Sequence, residues 1–272
     1  MALTPLLRSY DQVILDLDGC VWIGPDPIPG STEAIEAIRE AGKQLAFVTN
    51  NSWHSAEDQV AKLWGMGVQA SLADVVTVGG AMQHLLAETR QGRTAFVIGS
   101  ESMYRHVQDA GLRILNGTDL ASRAEVVVVA ATLELTYDDI KNAALAARRG
   151  GDLVATGRDP TYPMPEGYWP GTGAILAAVE AASGQTASIV GKPEPQLFFT
   201  ALDRLGEGRT LVIGDRLDSD VLGASRAHLD AALVLTGDTS AEEAAEAKKP
   251  KPIAVGASLG ELVVGAGVGG AE

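Results

Sequence analysis

Asp16 and Asp18, two aspartates separated by one residue, are the first residues in the chain whose type and spacing suit a catalytic or metal-binding role. They follow the apolar run 13–15, which is typical of a buried strand, and Gly19 allows the chain to leave that strand at a sharp angle. Residues two apart on an extended chain face the same side, so both carboxylates can point into one site. A strand end with two solvated aspartates explains these residues equally well, and the rest of the chain must decide.

Three further polar clusters stand where strands are predicted to end or helices to begin: Thr49 with Asn50, Lys192, and Asp215 with Asp220. In a doubly wound sheet such positions gather at one crevice. The carboxylates would repel there, since two like charges about 4 Å apart cost roughly 4 kcal/mol at an effective dielectric constant of about 20. A divalent cation would relieve this repulsion, and an all-oxygen ligand set favours Mg²⁺ over zinc or copper. The alternative is that Asp215 and Asp220 only cap the following helix.

The elements that would position these clusters alternate between strand and helix. Strands are predicted at 13–16, 44–48 and 74–78, with one helix beginning at Ser31 and another over 55–64. This order predicts a parallel sheet with right-handed crossovers.

The middle of the chain, residues 81–184, carries a complete strand and helix pattern of its own, and we interpret it as an inserted domain. Residues 185–272 then return to the first pattern and would complete a sheet begun by residues 1–80. The predicted fold class is therefore α/β: a doubly wound, Rossmann-like parallel-sheet core with a large α/β insertion. The glycine-rich tail 265–270 is predicted to be disordered.

Composition and charge narrow the class of partner. The chain has 272 residues and a formal net charge of −14, which disfavours nucleic acid and anionic membrane surfaces as partners. Cys20 is the single cysteine, so no internal disulfide can form. No apolar run is long enough to span a bilayer, and the first ten residues lack the apolar segment of a signal peptide. We therefore expect a cytoplasmic protein.

The chain resembles the haloacid dehalogenase superfamily in four motifs that occur in the order of that superfamily. They are DLDGCV at 16–21, TNN at 49–51, GKP at 191–193 and GDRLDSD at 214–220. The long segment between the second and third motifs is similar to the large α/β cap of the subfamily IIA phosphatases. That subfamily includes 4-nitrophenylphosphatases and phosphatases of phosphoglycolate, glycerol phosphate and pyridoxal phosphate.

The resemblance implies Mg²⁺-dependent hydrolysis of small phosphate monoesters, such as phosphoglycolate, glycerol phosphate or a sugar phosphate, through an aspartyl-phosphate. Asp16 would attack phosphorus as the nucleophile. Asp18 would protonate the leaving alcohol and then take a proton from water. Thr49 would hold a phosphate oxygen with its hydroxyl, and Lys192 would neutralise the phosphoryl charge and restrain Asp16.

The same resemblance implies the metal ligands. Mg²⁺ would be held by the Asp16 carboxylate, the backbone carbonyl of Asp18 and the carboxylate of Asp215, with Asp220 in a supporting position. The ion would screen the attack of one anion on another.

Residues that would bind the substrate lie after the second strand and in the cap. The segment 157–173 resembles the cap loop of the subfamily, but two positions depart from its pattern. Trp53 stands where many members carry arginine, and Tyr162 stands where many carry histidine; both positions lie near the substrate in the family. The predicted substrate-binding residues are Thr49, Asn50, Asn51, Arg158, Asp159, Tyr162 and Lys192, with Trp169 as a further candidate selector of the leaving group.

Two other functions fit the same residues. One is a phosphotransferase or mutase of the same superfamily, and the other is a non-catalytic sensor of phosphorylated ligands. An intact pair of Asp16 and Asp18 argues against the sensor, which need not keep both. The expected partner is a small phosphorylated metabolite, and the resemblance also implies a homodimer through the cap.

Overall fold

The computed structural model describes residues 1–265, so the prediction for the tail beyond Gly265 lies outside the described residues. The first part of the chain contains α1 (Pro5–Arg8), β1 (Gln12–Leu15), β2 (Trp22–Ile23), β3 (Asp26–Pro27), α2 (Ser31–Glu40), β4 (Gln44–Thr49), α3 (Ala56–Gly65) and β5 (Val75–Thr77), with a 3-10 turn at Leu72–Asp74.

The middle part contains α4 (Val78–Thr89), β6 (Thr94–Ile98), α5 (Glu101–Asp109), β7 (Arg113–Ile114), β8 (Val126–Val129), α6 (Tyr137–Arg148), β9 (Asp152–Ala155), β10 (Thr161–Met164), β11 (Gly167–Pro170), α7 (Thr172–Ser183) and β12 (Ser188–Ile189), with a 3-10 turn at Ala121–Arg123. The last part contains α8 (Gln196–Leu205), β13 (Thr210–Gly214), a π-helical turn at Leu217–Val221, α9 (Leu222–Arg226), β14 (Asp230–Val234), α10 (Ala241–Glu246), β15 (Ala254–Gly256) and α11 (Leu259–Val264).

The first sheet is parallel and doubly wound, as the sequence predicts. Its strand order is β15-β14-β13-β1-β4-β5, so the order reverses at β1, between β13 and β4. The alternating side chains of β1 enter two apolar clusters on opposite faces, with Ile14 in one and Val13 and Leu15 in the other. Burial on both faces explains why this strand is a continuous apolar run. Ligands bind outside the carboxyl ends of the strands at such a reversal, which lies here directly after Leu15.

The inserted segment forms a second parallel sheet, with strand order β12-β9-β8-β6-β7. The valines of β8, Val126–Val129, are fully buried because helices cover both faces. A single apolar cluster runs from Ile14 in β1 through Met82 in α4 to Val128 in β8, so the two sheets share one core. The strand β12 pairs with β9 of this second sheet, and the predicted division of the chain at 81–184 stays a prediction.

Helix α4 is an element that the sequence pattern does not indicate. It begins at Val78, where the Thr77 hydroxyl accepts a hydrogen bond from the backbone N–H of Gly80. Two glycines in its first turn lower its intrinsic helix propensity. Burial of Met82 and Leu86 against both sheets offsets this cost.

The loop predicted over 157–173 contains an antiparallel hairpin of β10 and β11. The loop closes on itself where the backbone N–H of Gly173 donates to the Asp159 carbonyl at 2.9 Å. A Cβ at Gly173 would lie 2.2 Å from the carbonyl oxygen of Arg158, so a glycine is needed at this close approach. The hairpin also contacts the loop that follows β14 of the first sheet. The Thr161 hydroxyl lies 3.5 Å from Oδ1 of Asp238 in that loop.

Across residues 1–265, no helix combines the length and the apolar character that crossing a membrane requires.

Candidate active site

The four predicted clusters meet at the carboxyl edge of the first sheet, where β1, β4 and β13 end. They line a pocket that the cap segment covers from the other side. Its lining residues are Asp16, Asp18, Thr49, Asn50, Asn51, Ser52, Trp53, Ala131, Asp159, Thr161, Tyr162, Gly171, Thr172, Lys192, Asp215, Arg216, Ser219 and Asp238.

A buried ion cluster forms the floor of this pocket. The Lys192 ammonium donates to Oδ1 of Asp16 and to Oδ1 of Asp220, the latter at 2.7 Å. Only 3% of the Lys192 side chain is exposed, against 8% for Asp16 and 2% for Asp220. Burial alone would lower the pKa of Lys192, but the two carboxylates outweigh it and raise that pKa. Lys192 is therefore a permanent cation that holds the Asp16 carboxylate in place.

A third buried carboxylate, Asp215, stands beside this cluster. One oxygen from each of Asp16, Asp215 and Asp220 lies within 4.8 Å of the others. Burial and repulsion from Asp220 raise the pKa of Asp215 to about 7, although a 2.7 Å hydrogen bond from the Asp238 backbone N–H opposes the rise. The Asp215 carboxylate is thus poorly satisfied by the protein alone.

These residues fit a divalent cation. Oδ1 of Asp215 is buried and has no hydrogen-bond partner among residues 1–265. Three carboxylates against the single ammonium of Lys192 leave an excess of negative charge. The main chain beside Asp18 also approaches Asp215, since a Cβ at Gly19 would lie 2.5 Å from its Oδ2. An all-oxygen donor set with surplus negative charge suits Mg²⁺.

The residues after β4 tie the pocket together. The Thr49 hydroxyl accepts from the backbone N–H of Asn51 at 2.9 Å and approaches Oδ2 of Asp18 at 3.3 Å. The Asn50 side chain accepts from the Lys192 backbone N–H at 2.8 Å and donates to the Lys192 carbonyl at 2.9 Å. The same Asn50 amide donates to Oδ2 of Asp159 at 2.9 Å. Asn50 therefore fixes both the lysine backbone and the cap loop.

Asp18 accepts hydrogen bonds from residues near β1 and β4 and from the hairpin of β10 and β11. Its Oδ1 accepts from Trp22 Nε1 at 2.8 Å and from the Tyr162 hydroxyl at 2.7 Å. The Asn51 amide donates to Oδ2 of Asp18 at 3.3 Å and to the Tyr162 hydroxyl at 3.1 Å. Burial, reinforced by the Asp18 charge, raises the pKa of Tyr162, so its hydroxyl stays protonated and donates to Asp18.

The cap loop reaches the pocket through Asp159 and Tyr162, whereas Arg158 points elsewhere. The Arg158 guanidinium forms a two-point pair with Glu180 at 2.9 and 2.7 Å. Neither Arg158 nor Trp169 lines the pocket in the described part of the chain. Burial raises the pKa of Asp159, and the Arg216 guanidinium 3.6 Å away opposes the rise.

Arg216 and Asp238 line the pocket but are not among the site residues that the sequence predicts. The Arg216 side chain is 12% exposed and pairs with Asp238 at 3.0 Å and with Asp218 at 3.2 Å. Arg216 stands inside the GDRLDSD motif beside Asp215, and Asp238 follows the end of β14. Polar residues after a strand end are the signal that identified the other clusters, and the same signal could have found Asp238.

The motif order and the fold agree with matches to known proteins. A haloacid dehalogenase-like hydrolase model matches residues 13–113, and a HAD-hydrolase-like model matches residues 189–262. The chain is 35% identical to D-glycerol 3-phosphate phosphatase of Mycobacterium tuberculosis over 94% of this chain and 72% of that protein. It is 29% identical to an acid sugar phosphatase of Staphylococcus haemolyticus, over 88% of this chain and 90% of that protein.

A solved structure has the same architecture. The crystal structure of glycerol phosphate phosphatase from Mycobacterium tuberculosis in complex with magnesium superposes with a TM-score of 0.86 at 35% identity, covering 96% of this chain and 79% of that one. The resemblance in the four motifs is therefore confirmed over nearly the whole chain. The chain belongs to the haloacid dehalogenase-like hydrolase family.

Proposed function

We propose that this chain is a Mg²⁺-dependent phosphatase that hydrolyses small phosphate monoesters through an aspartyl-phosphate on Asp16. The observation that carries the proposal is the buried cluster of Asp16, Lys192 and Asp220 beside an Asp215 oxygen that has no hydrogen-bond partner among residues 1–265. Such a cluster is costly to bury, and catalysis by a fixed nucleophile and a cation is a function that uses it.

The reaction has two steps at phosphorus. An oxygen of the Asp16 carboxylate bonds to phosphorus while the bond to the ester oxygen breaks, and Asp18 gives its proton to the departing alkoxide. Asp18 then takes a proton from a water molecule that attacks phosphorus. The bond between phosphorus and Asp16 breaks, and inorganic phosphate leaves.

Residues around the two aspartates hold the phosphoryl group. The Lys192 ammonium opposes the rise in the pKa of Asp16 that burial causes, and it contributes positive charge beside the phosphoryl oxygens. The Thr49 hydroxyl and the backbone N–H of Asn50 are the donors for the remaining oxygens, with the Asn51 amide beside them. When bound, Mg²⁺ supplies positive charge that screens the approach of the two anions, and Asp16, the Asp18 carbonyl and Asp215 would hold it.

The cap limits the substrate to small molecules. Tyr162 from the hairpin contacts Asp18, so the cap covers the pocket and would exclude water during the first step. The buried thiol of Cys20 suits a reducing compartment, which supports a cytoplasmic location. A homodimer through the cap is supported by two exposed apolar side chains, Leu133 at 72% and Tyr137 at 81% exposure.

The proposed function is tested by turnover of 4-nitrophenyl phosphate with and without Mg²⁺. Asp16→Asn should lower kcat by at least about 10³-fold because it removes the nucleophile. Asp138→Asn, which changes a 73% exposed carboxylate of the cap, is the matched control and should keep the native rate. Equal rates for native chain and Asp16→Asn would exclude this mechanism. Addition of an alcohol acceptor separates hydrolysis from phosphoryl transfer, since a transferase would form a new ester.

A further inference from the structure

An aromatic pair stands on the side of the pocket where the leaving group must lie. The rings of Trp53 and Tyr162 have centroids 4.8 Å apart and planes inclined by 55°. The Tyr162 hydroxyl donates to Asp18, which is the proton donor to the departing oxygen in the proposed function. A leaving group within reach of Asp18 is therefore also within reach of this pair.

The indole of Trp53 carries a donor that the protein does not use. Its Nε1 is buried and has no hydrogen-bond partner within the described residues. By contrast, the hydroxyl of Tyr162 and the amide of Asn51, which line the same wall, both have partners. Buried donors in proteins are almost always paired. Because Trp53 lines the pocket, a bound ligand can supply the acceptor that this N–H lacks among the described residues.

The two cations that line the pocket among residues 1–265 are already paired with carboxylates. Lys192 is paired with Asp16 and Asp220. Arg216 is held between Asp159, Asp218 and Asp238, which together exceed its charge. A leaving group with a carboxylate or a second phosphate would therefore bind without a counter-ion and close to the surplus negative charge of these aspartates.

We infer that the site selects phosphate esters of uncharged polyols, and that Trp53 is the specificity-determining residue. A hydroxyl of the polyol accepts from the Trp53 indole N–H, and its C–H groups pack on the rings of Trp53 and Tyr162. The inference rests on the proposed phosphatase function and adds the chemical class of the alcohol that leaves.

The first test compares two probes of similar size on the native chain with Mg²⁺ present. Glycerol 3-phosphate has an uncharged diol beyond its ester carbon, whereas phosphoglycolate has a carboxylate. We expect kcat/KM for glycerol 3-phosphate to exceed that for phosphoglycolate by at least about tenfold, the size of one unfavourable charged contact. A native chain that prefers phosphoglycolate, or that does not distinguish the two, would overturn the inference.

The second test changes Trp53. Trp53→Phe keeps an aromatic ring but removes the N–H, and should lower the ratio of kcat/KM for glycerol 3-phosphate to that for 4-nitrophenyl phosphate by about fivefold, the size of one hydrogen bond. Trp53→Arg adds a cation and should raise the ratio for phosphoglycolate over glycerol 3-phosphate by at least about tenfold. Trp64→Phe alters a 56% exposed tryptophan remote from the pocket lining, and should leave both ratios unchanged.

The outcomes separate the inference from the function on which it rests. Native turnover of 4-nitrophenyl phosphate with unchanged ratios in both Trp53 variants would overturn the inference and leave the phosphatase intact. Absence of Mg²⁺-dependent turnover of all the esters would overturn both. If thermal unfolding shows that Trp53→Arg does not fold, Trp53→Phe decides the test. Its ratio of kcat/KM for the two substrates does not depend on the amount of active protein.

Discussion

The two walls of the pocket are built differently. On the side of the first sheet, Asp16, Lys192 and Asp220 lie at or beside strand ends and are at most 8% exposed. On the cap side, Tyr162 belongs to a two-stranded hairpin that joins neither large sheet. Individual polar contacts hold the cap side in place, chiefly Tyr162 to Asp18 and Asp159 to Asn50.

This difference separates the proposed chemistry from the part of leaving-group recognition that lies on the cap side. Residues that must keep their geometry within tenths of an ångström belong on rigid buried elements, where every neighbour resists displacement. Residues that recognise the leaving group can lie on a segment that docks by a few hydrogen bonds, because such a segment can also open to admit substrate. Substitutions in the first sheet should therefore affect stability and chemistry together, and substitutions in the hairpin of β10 and β11 should affect activity with little loss of stability.

The largest effect is expected from Lys192→Ala. Removal of the ammonium leaves two buried carboxylates without a counter-ion, which should lower the free energy of unfolding by about 3–5 kcal/mol and abolish turnover. Urea denaturation and 4-nitrophenyl phosphate hydrolysis measure the two effects. Lys141→Ala removes a lysine paired with exposed Asp138 and should cost at most about 1 kcal/mol. Similar losses in the two variants would contradict the special role of the buried cluster.

Tyr162→Phe should give the next largest effect, on rate alone. The substitution removes the hydrogen bonds to Asp18 and from Asn51 but keeps the ring against Trp53, so kcat should fall by up to about tenfold. The midpoint of thermal unfolding should change by no more than it does for a substitution on the protein surface. Tyr168→Phe, on the exposed strand of the same hairpin, provides the control. A large loss of stability in Tyr162→Phe would show that the cap is as rigidly built as the sheet.

Asp159→Ala should produce a smaller effect, on substrate affinity and on cap mobility. The substitution breaks the bond from Asn50 and the pair with Arg216, so KM should rise by about fivefold or less. Limited proteolysis should cut the segment 157–173 faster than in the native chain. Glu180→Gln breaks the pair with Arg158 outside the pocket and should leave KM unchanged. An unchanged cleavage rate in Asp159→Ala would mean that other contacts hold the hairpin.

The same contrast explains what the sequence could predict. The acids at Asp16 and Asp215 follow apolar runs, and the ends of parallel strands converge, so the first sheet and its charged cluster were open to prediction. The hairpin in the cap loop was not, because its contacts are with residues distant in sequence, such as Asp18 and Asp238. The distant partners of the two arginines could not be predicted either: Glu180 pairs with Arg158 and Asp159 with Arg216, and the tertiary fold decides both pairings.

The smallest effect concerns the first turns of α3 and α6, which begin with the same kind of capping box. The capping box of Ser55 and Asp58 begins α3 in the core, and that of Thr136 and Asp139 begins α6 in the cap. A hydrogen bond from the Ser55 backbone N–H lowers the pKa of Asp58. A lowered pKa in the folded state adds stability above the unfolded value of about 4, and this stability is lost as pH falls through the folded pKa.

Asp58→Asn should therefore lower the free energy of unfolding at neutral pH by about 0.5 kcal/mol, and the deficit should disappear in acid. Thr136→Ala should weaken the start of α6 by about 1 kcal/mol. Hydrogen exchange then locates each effect. If faster exchange in Thr136→Ala stays within the cap, the cap opens independently of the first sheet; if it spreads to β1 and β13, the apolar cluster that both sheets share couples them into one unit.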